Sequence, residues 1–259
     1  MGYVDQLTDR DLEILAARQR LGPAELRSQL STRPWMLADL ASDSELLDDL
    51  LDPRTPLEEC SPFLIFAAAV FRSAFELRTA GWVSEWTGPR QRLPVLSVEP
   101  LCEFLDDPAR GLFLATLLAG FVKADQLDPR PVAALVAGAG PARRVLLRRL
   151  GDLALFRAGV LPDYTGSHPL APQDADLLGQ SAGLRAGEVL SLLSHPSAAG
   201  LEPMEVLGAR WYRLAFEAGD PSPVVADVAN RFSAGRRVLT HLSDRYLWKI
   251  NPSWLPLTA

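Results

Sequence analysis

The sequence predicts an all-α protein, an irregular multi-helix bundle of about ten helices with few or no strands. Three observations carry this. Apolar residues recur at helical spacing through most of the 259 residues, and alternating apolar and polar runs are nearly absent. Proline repeatedly stands where a helix would start, a position that needs no amide hydrogen. No segment repeats at a fixed period, which disfavours a regular solenoid.

Taken in order, Thr8 opens Thr-Asp-Arg-Asp, an N-cap with acids in the first turn, followed by Leu12 and Leu15. Pro23 and Pro34 suit the first position of short helices. Ser42 and Glu45 have capping-box spacing ahead of Leu46, Leu47, Leu50 and Leu51. Ser61-Pro62 opens the clearest helix, Phe63 to about Ala80, which Gly81 stops. The Pro-rich stretch Trp82–Val98 reads as an extended link, with room for a short strand at Val95–Val98. Helices follow over Pro100–Asp107, Ala109–Ala124, Pro131–Ala137, Pro141–Leu161, Gln173–Gly183, Ala186–Leu193, Pro203–Ala218 and Pro223–Leu247. The last is expected to break near Gly235, and the tail Trp248–Ala259 reads as irregular. Gly, Ser, His and two Pro between Thr165 and Pro172 mark a boundary. The chain is thus read as an N-terminal lobe, 1–164, and a C-terminal lobe, 173–259, which could equally be one continuous domain.

Composition removes several classes. The formal charge is −6, with 48% hydrophobic and 22% charged residues, an ordinary folded mixture. Cys60 and Cys102 cannot build a disulfide framework or a thiolate cluster, and read as free thiols in a reducing compartment. The charged start and the lack of an 18-residue apolar run predict neither a secretory signal nor a membrane span, so a cytoplasmic location is expected by elimination. The acidic excess lies in the first quarter, where residues 1–60 hold 13 acids and 6 bases. Such a face is a candidate docking surface for a basic partner, although an acidic face is more often simply solvated. No metal site is expected: His168, His195 and His241 are scattered, with no HExxH or Cys-x-x-Cys. There is no nucleophile elbow and no Walker loop, and the acid pairs Asp48-Asp49, Glu58-Glu59 and Asp106-Asp107 are adjacent residues that diverge on a helix.

Gly138-Ala139-Gly140-Pro141-Ala142-Arg143 superficially matches a dinucleotide phosphate loop. Arg143 occupies the third glycine position and no strand–helix alternation follows, so an inter-helix turn is the better reading and no cofactor is assigned. The helix beyond it is apolar around most of its circumference, yet carries Arg144, Arg148, Arg149, Asp152 and Arg157. At about 100° per residue, Arg144, Arg148 and Asp152 share a stripe, while Arg149 and Arg157 fall on or beside the apolar side. A buried arginine needs a carboxylate, carbonyls or an anionic ligand. These five residues are therefore the candidate ligand-binding set. Nucleic acid is disfavoured, because the chain is acidic and only Lys123 and Lys249 are lysines. Trp248 and Trp254 in the tail are the candidate partner-binding residues, and Trp211-Tyr212 reads as core.

The segment Leu150-Gly-Asp-Leu-Ala-Leu-Phe-Arg-Ala-Gly-Val-Leu-Pro-Asp163 resembles an uncharacterised family of bacterial all-helical proteins, in which a Leu-Gly-Asp-x-Ala-Leu-Phe helix ends in a Gly-x-x-Pro turn. The resemblance extends over roughly Arg143 to Leu247 and implies an all-α body, with no activity attached. Independently of it, Gly151 in mid-helix costs about 1 kcal/mol relative to alanine, which predicts a close helix crossing there with Asp152 in a buried polar pair.

Two functions follow. The leading one is a non-catalytic helical interaction or regulatory module, resting chiefly on missing catalytic parts. The alternative is an enzyme or sensor that binds an anionic small molecule in an Arg-lined pocket between helices. Burial discriminates them: two or more of these arginines facing a shared cavity without protein carboxylates favour the second, and each arginine paired with Asp or Glu counts against it.

Overall fold

Proline sets the start of helix after helix. The computed structural model describes residues 2–52, 59–122, 124, 126–194, 201–247 and 250. Among these, six of fifteen α-helical segments begin on proline, so the chain's many prolines punctuate helices and do not interrupt them. The number exceeds the expected ten because short helices of five to seven residues are counted. The described chain is an irregular, mostly helical bundle with one small two-stranded sheet. It divides into two units.

The first unit draws on Met1–Gly81, Val98–Ala124 and the chain from Arg245. It holds α1 (Asp9–Gln19), α2 (Pro23–Thr32), α3 (Met36–Ala41), α4 (Leu46–Leu50), α5 (Pro62–Thr79), α6 (Glu99–Leu105) and α7 (Pro108–Gly120). Helix α5 is its centre: Phe63 to Phe71 are buried without a gap, against α3, α4, α6 and α7. Thr8 and Asp11 cap α1 reciprocally, with Thr8 Oγ1 accepting from the Asp11 amide and Asp11 Oδ2 from the Thr8 amide. The fully buried Asp11 also accepts from the Ser61 amide at 3.0 Å, and Ser61 Oγ in turn caps α5 at the Leu64 amide. One carboxylate thus ties two helix starts together. The expected box at Ser42 and Glu45 does not form. Ser42 closes α3, its hydroxyl donating to the Ala38 carbonyl, and Asp43 accepts from the Glu45 amide.

The second unit draws on Trp82–Ser97 and Asp125–Asp244. The segment read as a link is an antiparallel hairpin, β1 (Val83–Gly88) and β2 (Gln91–Val95), with Val83 opposite Val95 and Glu85 opposite Leu93. The strand expected at Val95–Val98 therefore lies earlier. Its helices are α8 (Arg130–Val136), α9 (Arg143–Val160), α10 (Pro162–Ser167), α11 (Pro172–Ser181), α12 (Ala186–Ser194), α13 (Leu201–Glu217), α14 (Pro223–Asn230) and α15 (Phe232–Leu242). The break between the last two falls at Arg231, and Gly235 is buried inside α15. Gly140, at φ +48°, leads a 3₁₀ turn into α9. The preceding element is the helix α8, whereas a phosphate loop needs a strand there, so the inter-helix turn holds.

Helix α9 is the core of this unit, packed chiefly on α13 and α15. From Leu150 to Val160 its residues are buried with the exception of half-buried Asp152. A buried C-terminus leaves carbonyls that must find donors. Hydroxyls supply them: Thr165 donates to the Arg157 carbonyl, Thr240 to that of Gly159 and Ser243 to that of Val160. The chain leaves α15 through a π-helical turn, Ser243–Leu247.

Candidate functional site

Helix α9 crosses α13 at Gly151. A Cβ there would stand 2.9 Å from Cγ of Tyr212 and nearer still to Cδ1 and Cε1, so only glycine admits the ring. The Tyr212 hydroxyl then donates to Asp152 Oδ1 at 2.8 Å, and Arg148 Nε donates to the same oxygen at 3.0 Å. Arg148 also lies 3.8 Å from Asp220 and over the Tyr212 ring, 5.6 Å from its centroid. Burial pushes the Asp152 carboxyl above the usual range, opposed by Arg148, the Tyr212 hydroxyl and the field of Arg149. Burial likewise pushes the Tyr212 phenol well up. This is the close crossing with a buried polar pair that the glycine implied.

The five candidate residues therefore split. Arg148 and Asp152 are mutual partners. Arg149 is half-buried and acts on Asp152 electrostatically. Arg144 is exposed and donates to the Gly219 carbonyl at 3.1 Å, beside Asp220. Arg157 stands apart, nine residues along α9 from Arg148, about 13.5 Å at 1.5 Å per residue.

Arg157 is 9% exposed. Its Nη1 donates to the Leu127 carbonyl at 3.4 Å, and its guanidinium lies over the Tyr164 ring, 5.7 Å from the centroid. Its Nε is buried with no hydrogen-bond partner. Burial pulls the guanidinium below the ordinary arginine value, with Tyr164 and Asp128 pulling the other way. Asp128 is itself taken by Arg130, whose Nη2 is 2.7 Å away.

The other buried arginines differ. Arg236 Nε donates to Glu205 and its Nη1 to Glu85, both at 2.6 Å. Glu85 also accepts from Arg237 Nε. Arg110 donates to the Glu103 carbonyl at 2.8 Å and lies 3.9 Å from Asp107. Among the described residues, Arg157 is the buried arginine that no carboxylate meets within 4.0 Å.

A further charged cluster anchors the hairpin, and sequence reasoning missed it. Arg92 pairs with Asp163 at 3.2 Å and Asp244 at 3.1 Å, and the Trp86 indole donates to Asp163 at 2.9 Å. Burial raises the Asp163 carboxyl, but Arg92, the Arg90 amide and Trp86 outweigh it and hold the group low. The turn Gly88-Pro89-Arg90, with Arg90 at φ 58°, was the available signal for a hairpin.

The candidate partner surfaces fare differently. Trp248 and Trp254 lie outside the described residues. In the acidic quarter, Arg18 pairs with Asp43 and Asp49, so part of that charge is matched internally. Trp211 is fully buried, its indole donating to Ser181 at 3.0 Å. Cys60 and Cys102 are free thiols, both raised by burial. Among the described residues, no group of three or more His, Cys, Asp or Glu could hold a metal ion, and no helix is long and apolar enough to cross a membrane. Comparison with family models, curated proteins and solved structures finds no match to this chain.

Proposed function

We propose that this chain is a helical binding module for an anionic small molecule, with Arg157 of α9 as the group that receives the charge. One observation carries the reading: Arg157 is buried, and no carboxylate of a described residue meets it. An isolated buried cation costs several kcal/mol, and a bound anion would offset that cost. The carbonyl of Leu127 and the face of Tyr164 compensate only in part. Arg148 and Asp152 serve in this reading as the polar joint that fixes α9 on α13, not as ligand contacts. The resemblance of Leu150–Asp163 to a helical bacterial family adds no activity to it.

The test is a thermal-shift titration of the full chain against carboxylates, phosphate esters, sulfate and chloride at constant ionic strength. A ligand that binds only the native state raises the melting temperature in a saturable manner. At least one anion is expected to do so. A flat response to every anion overturns the proposal.

A further inference from the structure

Building on that reading, we infer that Arg157 takes the carboxylate of a monocarboxylic acid. The argument concerns which donors are left and how much charge is unmatched. Nη1 faces the Leu127 carbonyl. The remaining edge of a guanidinium is the one formed by Nε and Nη2, two parallel N–H groups in a rigid fork. Nε on this edge has no acceptor. Two parallel donors match the two oxygens of one carboxylate, the geometry in which arginine binds carboxylates best.

The surrounding charge favours the smallest added charge. Arg130 is shared by Asp128, with Nε 2.9 and 2.8 Å from its two oxygens, and by Asp174, 3.2 Å from Nη1, so these three groups already carry one excess negative charge beside Arg157. A monocarboxylate adds the least further negative charge. A phosphate dianion would bring excess negative charge towards Asp128, close enough to Arg157 to act on its ionisation. The Tyr164 ring, stacked on His168 at 4.3 Å, gives the guanidinium an aromatic neighbour that supplies no competing carboxylate.

The probes are sodium propionate, inorganic phosphate and sodium chloride, titrated into the full chain at fixed ionic strength. Melting temperature and saturation-transfer NMR of the propionate methyl signals are the readouts. Propionate is expected to raise the melting temperature saturably, and phosphate to match chloride. Arg157→Lys, which keeps the charge and loses the fork, is expected to weaken propionate at least tenfold. Arg157→Met is expected to abolish the response while its circular dichroism stays native, and the lysine variant carries the test if the methionine variant does not fold. Phosphate binding as well as propionate, or propionate binding unchanged in both variants, overturns the carboxylate assignment and leaves the binding module standing. No response to any anion in the wider panel overturns the module itself.

Discussion

Replacing Gly151 with alanine probes the joint on which the second unit is built. The new Cβ would lie 2.9 Å from Cγ of Tyr212 and closer to two other ring carbons, where carbon pairs prefer about 3.5–4.0 Å. The ring has little freedom to retreat: it is fully buried, packs at 5.9 Å on Phe232 and is held at its hydroxyl by Asp152. Overpacking of this kind costs about 1–3 kcal/mol. Moving the ring also sacrifices a hydrogen bond to a charged group, about 1.5–3 kcal/mol. Alanine returns about 1 kcal/mol of helix propensity. The net loss is therefore about 1.5–5 kcal/mol, which at a urea slope of about 2 kcal/mol/M lowers the midpoint by about 0.8–2.5 M. Urea unfolding followed by far-ultraviolet circular dichroism measures it. In Gly151→Ala combined with Tyr212→Leu, the cost should be markedly less than the sum of the single changes, because the clash has been removed. A Gly151→Ala midpoint at or above wild type, or strict additivity with Tyr212→Leu, would refute the reasoning.

Other changes test other joints. Asp152 is raised by burial, so the native chain keeps its proton to higher pH than the unfolded chain. Its stabilising contribution is complete below the unfolded value of about 3.9 and is lost as pH rises through the native one. The urea midpoint of wild type minus that of Asp152→Asn should then decrease as pH rises from about 4; a difference that grows with pH contradicts this. Glu85→Ala leaves Arg237 without this carboxylate and Arg236 with Glu205 alone, and should cost about 2–3 kcal/mol in the same unfolding assay. Adding Arg236→Met should recover part of that loss. Asp11→Ala strips the Thr8 and Ser61 amides of their acceptor, an expected loss of about 2–4 kcal/mol, and Asp11→Asn should lose less.

Much of the helical order was legible because it is written locally. Ser61 ahead of Pro62 marks a helix start by chemistry confined to a few residues, whereas Asp107, read as the end of one helix, caps the next at Pro108. Gly151 and Asp152 announced a crossing because glycine in a buried helix demands a reason. Their partner Tyr212 was not legible, since sixty residues separate it from Asp152 and nothing local selects it. The hairpin escaped for the same cause. β2 is mostly exposed and contains a proline, so it lacks the alternation of a half-buried strand. Its stability comes from Arg92, Glu85 and Trp86 reaching charges far along the chain. Ser42 and Glu45 misled in the opposite way: the spacing of a cap was present, but the end of α3 claimed the serine first. For the ligand set, the pattern identified α9, but shared spacing did not make a shared site. Arg148 found its carboxylate on its own helix one turn away, and Arg157 faces another neighbourhood.

The hairpin also sets a timetable for the ribosome. Glu85 is made 151 residues before Arg236, and Arg92 is made 152 residues before Asp244. At about 5–20 residues per second, the interval is roughly 8–30 seconds. Throughout it the nascent strand carries Glu85 without Arg236, while Arg92 and Trp86 lack Asp163 for about the first half and Arg92 gains Asp244 only at its close. The first unit waits as well, because the carboxylate of Glu76 meets Arg245 and Tyr246, and Tyr246 is made 170 residues after it. In each unit, then, a charge network fixed early in the chain closes only when a partner more than a hundred residues later has been made.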